Sequence, residues 1–78
     1  MRSFEEWVKE VEEEIEKVNI FELHKQSLLV KLYVLKTNRT LSNLNYLMMW
    51  LHHYGLQYLC PTPQEIDCWI KQGVLRKV

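Results

Sequence analysis

Apolar residues recur at steps of three and four along most of this chain, the period of helices that bury one side. The pattern is plainest at the start. Phe4, Trp7, Val8, Val11, Ile15 and Val18 form one stripe, and Glu5, Glu6, Glu10, Glu12, Glu13 and Glu16 fill the rest of the circumference. Ser3 and Glu6 stand at capping-box spacing, so the Ser3 hydroxyl can accept from the third helical N–H while the Glu6 carboxylate reaches back. The spacing predicts a helix over 3–18. A second helix is predicted over 20–36, and it carries two stripes. Phe21, Leu28, Leu32 and Leu35 make one; Leu23, Val30 and Val34, with Ile20 at the margin, make another on nearly the opposite side. A helix apolar on two faces sits centrally in a bundle or shares its second face with another subunit. A strand over 28–35 is the competing reading, weakened because only Val30 and Val34 there are β-branched.

Thr37 to Thr40 is a polar break, after which Leu41, Leu44, Leu47, Met48, Leu51 and Tyr54 predict a third helix over 41–54, capped by Thr40 or Ser42, with Trp50 at the edge of its stripe. Gly55 followed by Leu56 reads as its left-handed stop. Leu56, Tyr58 and Leu59 are expected to pack beneath the connector to Pro61. Thr62, Pro63 and Glu65 open a fourth helix as N-cap, first-turn proline and capping-box carboxylate, and its stripe is Ile66, Trp69 and Ile70. Gly73 closes it near residue 72, and Val74 and Leu75 can fold back. Four short-linked helices predict an all-α, small four-helix bundle-like domain over 1–78, with a homodimer through the second or third helix as an open expectation.

Composition narrows this further. Of 78 residues, 47% are hydrophobic and ten basic side chains balance ten acidic ones, which excludes intrinsic disorder. The longest nearly apolar run, 28–35, contains Lys31 and falls far short of the roughly 20 residues of a membrane span. The acidic N-terminal region does not read as a secretory signal, so the expected location is cytoplasmic, or nuclear in a eukaryotic or viral host. Cys60 and Cys68 are then expected to be free thiols, and Asn38-Arg39-Thr40 a chance glycosylation match. Having no Ala and only two Gly and two Pro suggests an A/T-biased genome, such as that of a phage, virus or mobile element.

The zero net charge hides a split. Residues 1–23 carry three basic side chains against eight glutamates, and residues 24–78 carry seven against Glu65 and Asp67, leaving −5 and +5. Between His24 and Gln64 no side chain is acidic. Either the first helix lies across the basic middle and neutralises it, or Lys25, Lys36 and Arg39 face an anionic partner.

Reactive groups do not assemble into a catalytic or metal-binding motif. His52 and His53 are adjacent, hence about 100° apart on a helix, and no C-x-x-C or H-x-x-x-H pair is present. No third group orients a Cys–His pair, and the two glycines are isolated. The expectation is a non-enzymatic protein without cofactor or metal. The segment Thr62 to Leu75 locally resembles the second helix of excisionase-like helix-turn-helix domains: a polar cap, an apolar–aromatic pair, then Gly and a hydrophobe. That resemblance implies DNA binding by this helix, whose outward positions are Gln64, Asp67, Lys71 and Cys68; a second route to nucleic acid is a patch of Lys25, Lys36 and Arg39 with His52, His53 and the Arg76-Lys77 tail. The sequence departs from it in Glu65 and Asp67, which repel phosphate, and in a connector longer than the usual turn. An isoelectric point near 6.8 also speaks against a nucleic-acid domain.

The favoured expectation is a small regulatory or adaptor protein that binds another protein. Three Trp, three Met and four Tyr are much for a short chain to hide, and Tyr46, Met49, His52 and His53 point away from the leucine stripe of the third helix. A helix-turn-helix-like nucleic-acid binder is the alternative.

Overall fold

Helices form wherever the period of three and four is sustained. A computed structural model describes all residues from Met1 to Val78, with α1 over Phe4–Lys17, α2 over Glu22–Thr37, α3 over Leu41–His53 and α4 over Pro63–Lys71, plus one 3₁₀ turn at Gln57–Leu59. No strand is present, so the 28–35 segment is helical. Both predicted capping boxes are formed, at Ser3–Glu6 and at Thr62–Glu65. Gly55 and Gly73 take positive φ, 73° and 76°, as the stops of α3 and α4 require.

Fifteen buried hydrophobic side chains form one cluster. At one end Phe4, Trp7 and Trp69 interlock, with ring centroids 5.4–5.9 Å apart. Both indoles are satisfied: Trp7 Nε1 donates to Leu59 O at 2.8 Å and Trp69 Nε1 to Arg2 O at 3.1 Å. The leucines of α2 and α3 (Leu28, Leu32, Leu35, Leu44, Leu47 and Leu51) pack with Val8, Val11 and Ile15 of α1 and with Leu56, Leu59 and Leu75 to complete it. Two sequence expectations need correction. Phe21 is the N-cap residue of α2 and is 78% exposed, so it leaves the Leu28 stripe. Tyr58 points outward at 63% exposure, whereas Leu56 and Leu59 are buried as expected.

α2 runs antiparallel to both of its neighbours. Glu5, Glu12 and Glu16 of α1 meet Arg39, Lys36 and Lys25 in that order, while Lys31 and His24 meet Tyr46 and Tyr54 of α3. The turn between α2 and α3 is held by the C-terminal tail. Arg76 N donates to Arg39 O, Leu41 N to Arg76 O, and Ser42 N to Val78 O, at 2.7–3.0 Å. The Thr40 hydroxyl accepts from Asn43 N at 3.1 Å. The first N–H groups of α3, which no helix can satisfy internally, thus all find acceptors. Thr40→Ala should therefore cost about 1 kcal/mol in urea-denaturation stability; an unchanged midpoint would mean that the tail alone suffices.

Candidate partner-binding surface

The position of α1 decides the fate of the basic middle. Arg39 pairs with Glu5 at 3.2 Å, and its guanidinium lies 4.9 Å from the centre of the Phe4 ring. Lys36 pairs with Glu12 at 3.2 Å, and Lys25 Nζ donates to Glu16 O at 2.9 Å. Even the crevice of about 160 Å³ between α1 and the end of α2 is lined by Glu5 and Glu12 as well as by Lys9, Lys36 and Arg39. Three of the residues singled out as anion contacts are thus drawn onto α1. Each exposed pair adds little stability, but together they offset the positive potential of this side.

The C-terminal candidates are dispersed. Lys71 pairs with Asp67 at 2.9 Å one turn earlier on α4, and this hydrogen bond raises the pKa of the Lys71 amine. The Arg76 guanidinium donates to Asn38 Oδ1. Lys77 is exposed at the edge of a hollow with Leu41, Ser42 and Asn45. Glu65, which the sequence places only as a cap, is buried. It accepts from Arg2 Nε, Arg2 Nη2 and Arg2 N at 2.7–3.1 Å, and from Thr62 N at 3.0 Å. The Arg2 hydrogen bonds outweigh desolvation and hold its carboxyl down at about 2. Arg2 precedes the first helix with no periodic signal, so nothing local in the sequence announces this pair.

Burial pushes the Cys60 thiol up, away from the reactive thiolate. No three His, Cys, Asp or Glu side chains converge on a common point. His52 projects outward from α3. His53 is exposed too, yet its ring lies 5.1 Å from that of Trp50 and 5.0 Å from that of Tyr54. Tyr54 in turn shares a 2.9 Å hydrogen bond with His24 Nδ1, so an aromatic chain ties the start of α2 to the end of α3.

The second stripe of α2 remains uncovered. Leu23, Val30 and Val34 are 83%, 60% and 43% exposed, and from α3 Tyr46 and Met49 join them at 52% and 56%. Val30 and Val34 line a depression of about 260 Å³ with Lys31, Asn43 and Tyr46 between the two helices. α1 occupies another side of α2, where Glu12 and Glu16 border Leu29, Leu32 and Tyr33. The single charge in the α2–α3 depression is Lys31. Its ammonium lies 5.0 Å from the centre of the Trp50 ring and 5.7 Å from that of Tyr46, and donates to Ser27 Oγ at 2.6 Å. Beneath it, Trp50 Nε1 is a buried donor without an acceptor. No helix is long and apolar enough to cross a membrane, so bilayer insertion of a spanning helix does not account for these exposed side chains. No family model, no curated protein and no solved structure matches this chain.

Proposed function

We propose that this chain is a small non-enzymatic adaptor or regulatory protein that docks another protein on the exposed side of the α2–α3 pair. The observation that carries this reading is the row Leu23, Val30, Val34, Tyr46 and Met49, solvent-exposed on a helix pair whose opposite stripes are fully buried. Water-exposed apolar side chains gathered on rigid elements are a common mark of interfaces. The electrostatics support protein over nucleic acid as partner. Arg39, Lys36 and Lys71 are ion-paired, and Lys25 is bonded to a carbonyl of α1, so no continuous basic stripe is left to meet a phosphate backbone.

The reading is tested by affinity capture from the source cells, with nuclease present, using the wild type and a Val30→Gln/Met49→Gln variant. Both substitutions lie on exposed helical positions and introduce glutamine, an unbranched, helix-compatible side chain, so thermal stability should stay within about 0.5 kcal/mol. A nuclease-resistant partner present with wild type and lost with the variant is expected. An identical captured set from both proteins, or capture abolished by nuclease, would overturn the reading.

A further inference from the structure

We infer that the occupant of the α2–α3 face is an acidic amphipathic helix of a different protein, with its apolar stripe on Val30, Val34, Tyr46 and Met49 and a carboxylate on Lys31. This rests on the docking reading above and gives the partner its chemistry.

Charge is the first argument. Lys36 and Arg39 each have a carboxylate partner within the chain, but Lys31 has none. It is only partly exposed, held over two aromatic rings and by one serine hydroxyl. An ammonium has three donors, so two are left for water. A wholly apolar partner would strip that water and strand the charge, which is strongly unfavourable. A partner carboxylate would instead accept both donors in a site with little competing solvent.

A second copy of this chain fits the face less well. A second copy related by a two-fold axis would present the same face, bringing Lys31 and its apolar surroundings, with Glu22 beside Leu23 in the first turn of α2 as the one acid on either helix. The acidic outer side of α1 would bring carboxylates without an apolar stripe, because Phe4, Trp7, Val8, Val11 and Ile15 are already buried at home. α1 thus supplies no apolar stripe, and a second copy supplies a single acid at the end of its stripe rather than along the border.

The shape of the face selects a helix. The face is a furrow between two antiparallel helices, and the fold has no sheet edge on which an extended peptide could gain main-chain pairing. The exposed stripe of α2 that borders the furrow runs about 17 Å from Leu23 to Val34 at the helical rise, or three turns of a docked helix. Anchors at spacings of three, four and seven would then meet the furrow, with the carboxylate on the stripe's border.

The test uses two designed helical peptides of about 18 residues, each with the same Leu and Met stripe. One carries Glu along the stripe's border and the other Lys. Affinities come from fluorescence anisotropy against the full chain, and the indole N–H resonances of the three tryptophans report location. The Glu peptide should bind the wild type about tenfold or more tightly than the Lys peptide. The Trp50 resonance should shift while those of Trp7 and Trp69 stay in place. Lys31→Gln should level the two peptides, Lys31→Glu should reverse their order, and Val30→Gln/Met49→Gln should abolish both. Equal binding of the two peptides, lost in the Val30/Met49 variant, would overturn the acidic-helix inference while leaving the docking face standing. Glu-peptide binding untouched by the Val30/Met49 variant, or no binding of either peptide up to about 1 mM, would overturn both. A concentration-dependent Trp50 shift without peptide, with a dimer in sedimentation, would place a second copy on the face and overturn the foreign partner.

Discussion

Trp7→Ala is expected to lower the unfolding free energy by about 4 kcal/mol, the middle of the range for deleting a buried aromatic. Trp7 has no exposed surface and lies against both Phe4 and Trp69, so its removal opens a cavity where three rings converge. It also orphans the Leu59 carbonyl, whose donor is the Trp7 indole. A domain this short has a shallow reserve of stability, of order 5 kcal/mol. The variant should therefore lose most of its helical circular dichroism or melt just above room temperature. Trp7→Phe separates the two contributions, because it keeps a ring in the hole and removes only the indole donor and part of the volume. Its loss should be about 1–2 kcal/mol. Urea denaturation of the two variants reads both numbers. A Trp7→Ala loss under about 1 kcal/mol would show that the aromatic trio is not where the core is anchored.

The same hub explains why some elements were legible in the sequence and others were not. α1 and α4 begin at capping boxes, a signal contained within four residues, and both boxes form. The stops at Gly55 and Gly73 are equally local, because each needs positive φ and no side chain. What depends on tertiary placement was not legible. Phe21 fits the period of the Leu28 stripe, but it lies at the cap of α2, just outside the helix, where the period no longer fixes direction. Tyr58 sits in a 3₁₀ turn between Leu56 and Leu59, which face inward while it faces solvent, and no helical period sets its direction. The charge split between residues 1–23 and the remainder was visible, but its meaning was not. Only the antiparallel placement of α1 on α2 brings Glu5 to Arg39 and Glu12 to Lys36. The two stripes of α2 were legible too, and the structure assigns them different surroundings: Leu28, Leu32 and Leu35 are buried, while Leu23, Val30 and Val34 face solvent. A periodicity argument finds both faces of a helix but does not say which one a neighbour covers.

Acid should expose the longest-range ion pair in the chain, Arg2–Glu65. The Glu65 side chain is 5% exposed and that of Arg2 34%, and the pair joins residues 63 positions apart, tying the start of α1 to the first turn of α4. Donation from the Arg2 side chain is the main reason that the Glu65 carboxyl titrates near 2 rather than at 4.5, with the Thr62 and Arg2 amides adding to it and desolvation opposing it. A folded-state value below the unfolded one stabilises the fold above the unfolded pKa, and that contribution disappears as pH falls through the folded value. The loss should therefore run from about pH 4.5 down to about 2. Its ceiling is about 3 kcal/mol, and solvent around the partly exposed Arg2 brings it to about 1–2 kcal/mol. Glu65→Gln keeps an acceptor for only one of the two amides, which bond different carboxylate oxygens, but it cannot titrate, so its stability curve should start lower and be flatter by that amount over the same window. A residual slope is expected from Glu6, whose pKa is lowered by the Ser3 amide. Arg2→Met is the harsher change, because it leaves a buried carboxylate without its counter-ion. It should cost about 3 kcal/mol at neutral pH, and part of that should return as Glu65 is protonated in acid. Chemical denaturation at neutral pH and at several acidic values reads all three curves. If wild type and Glu65→Gln lost stability in parallel across the window, the buried pair would not be the acid-sensitive joint between α1 and α4.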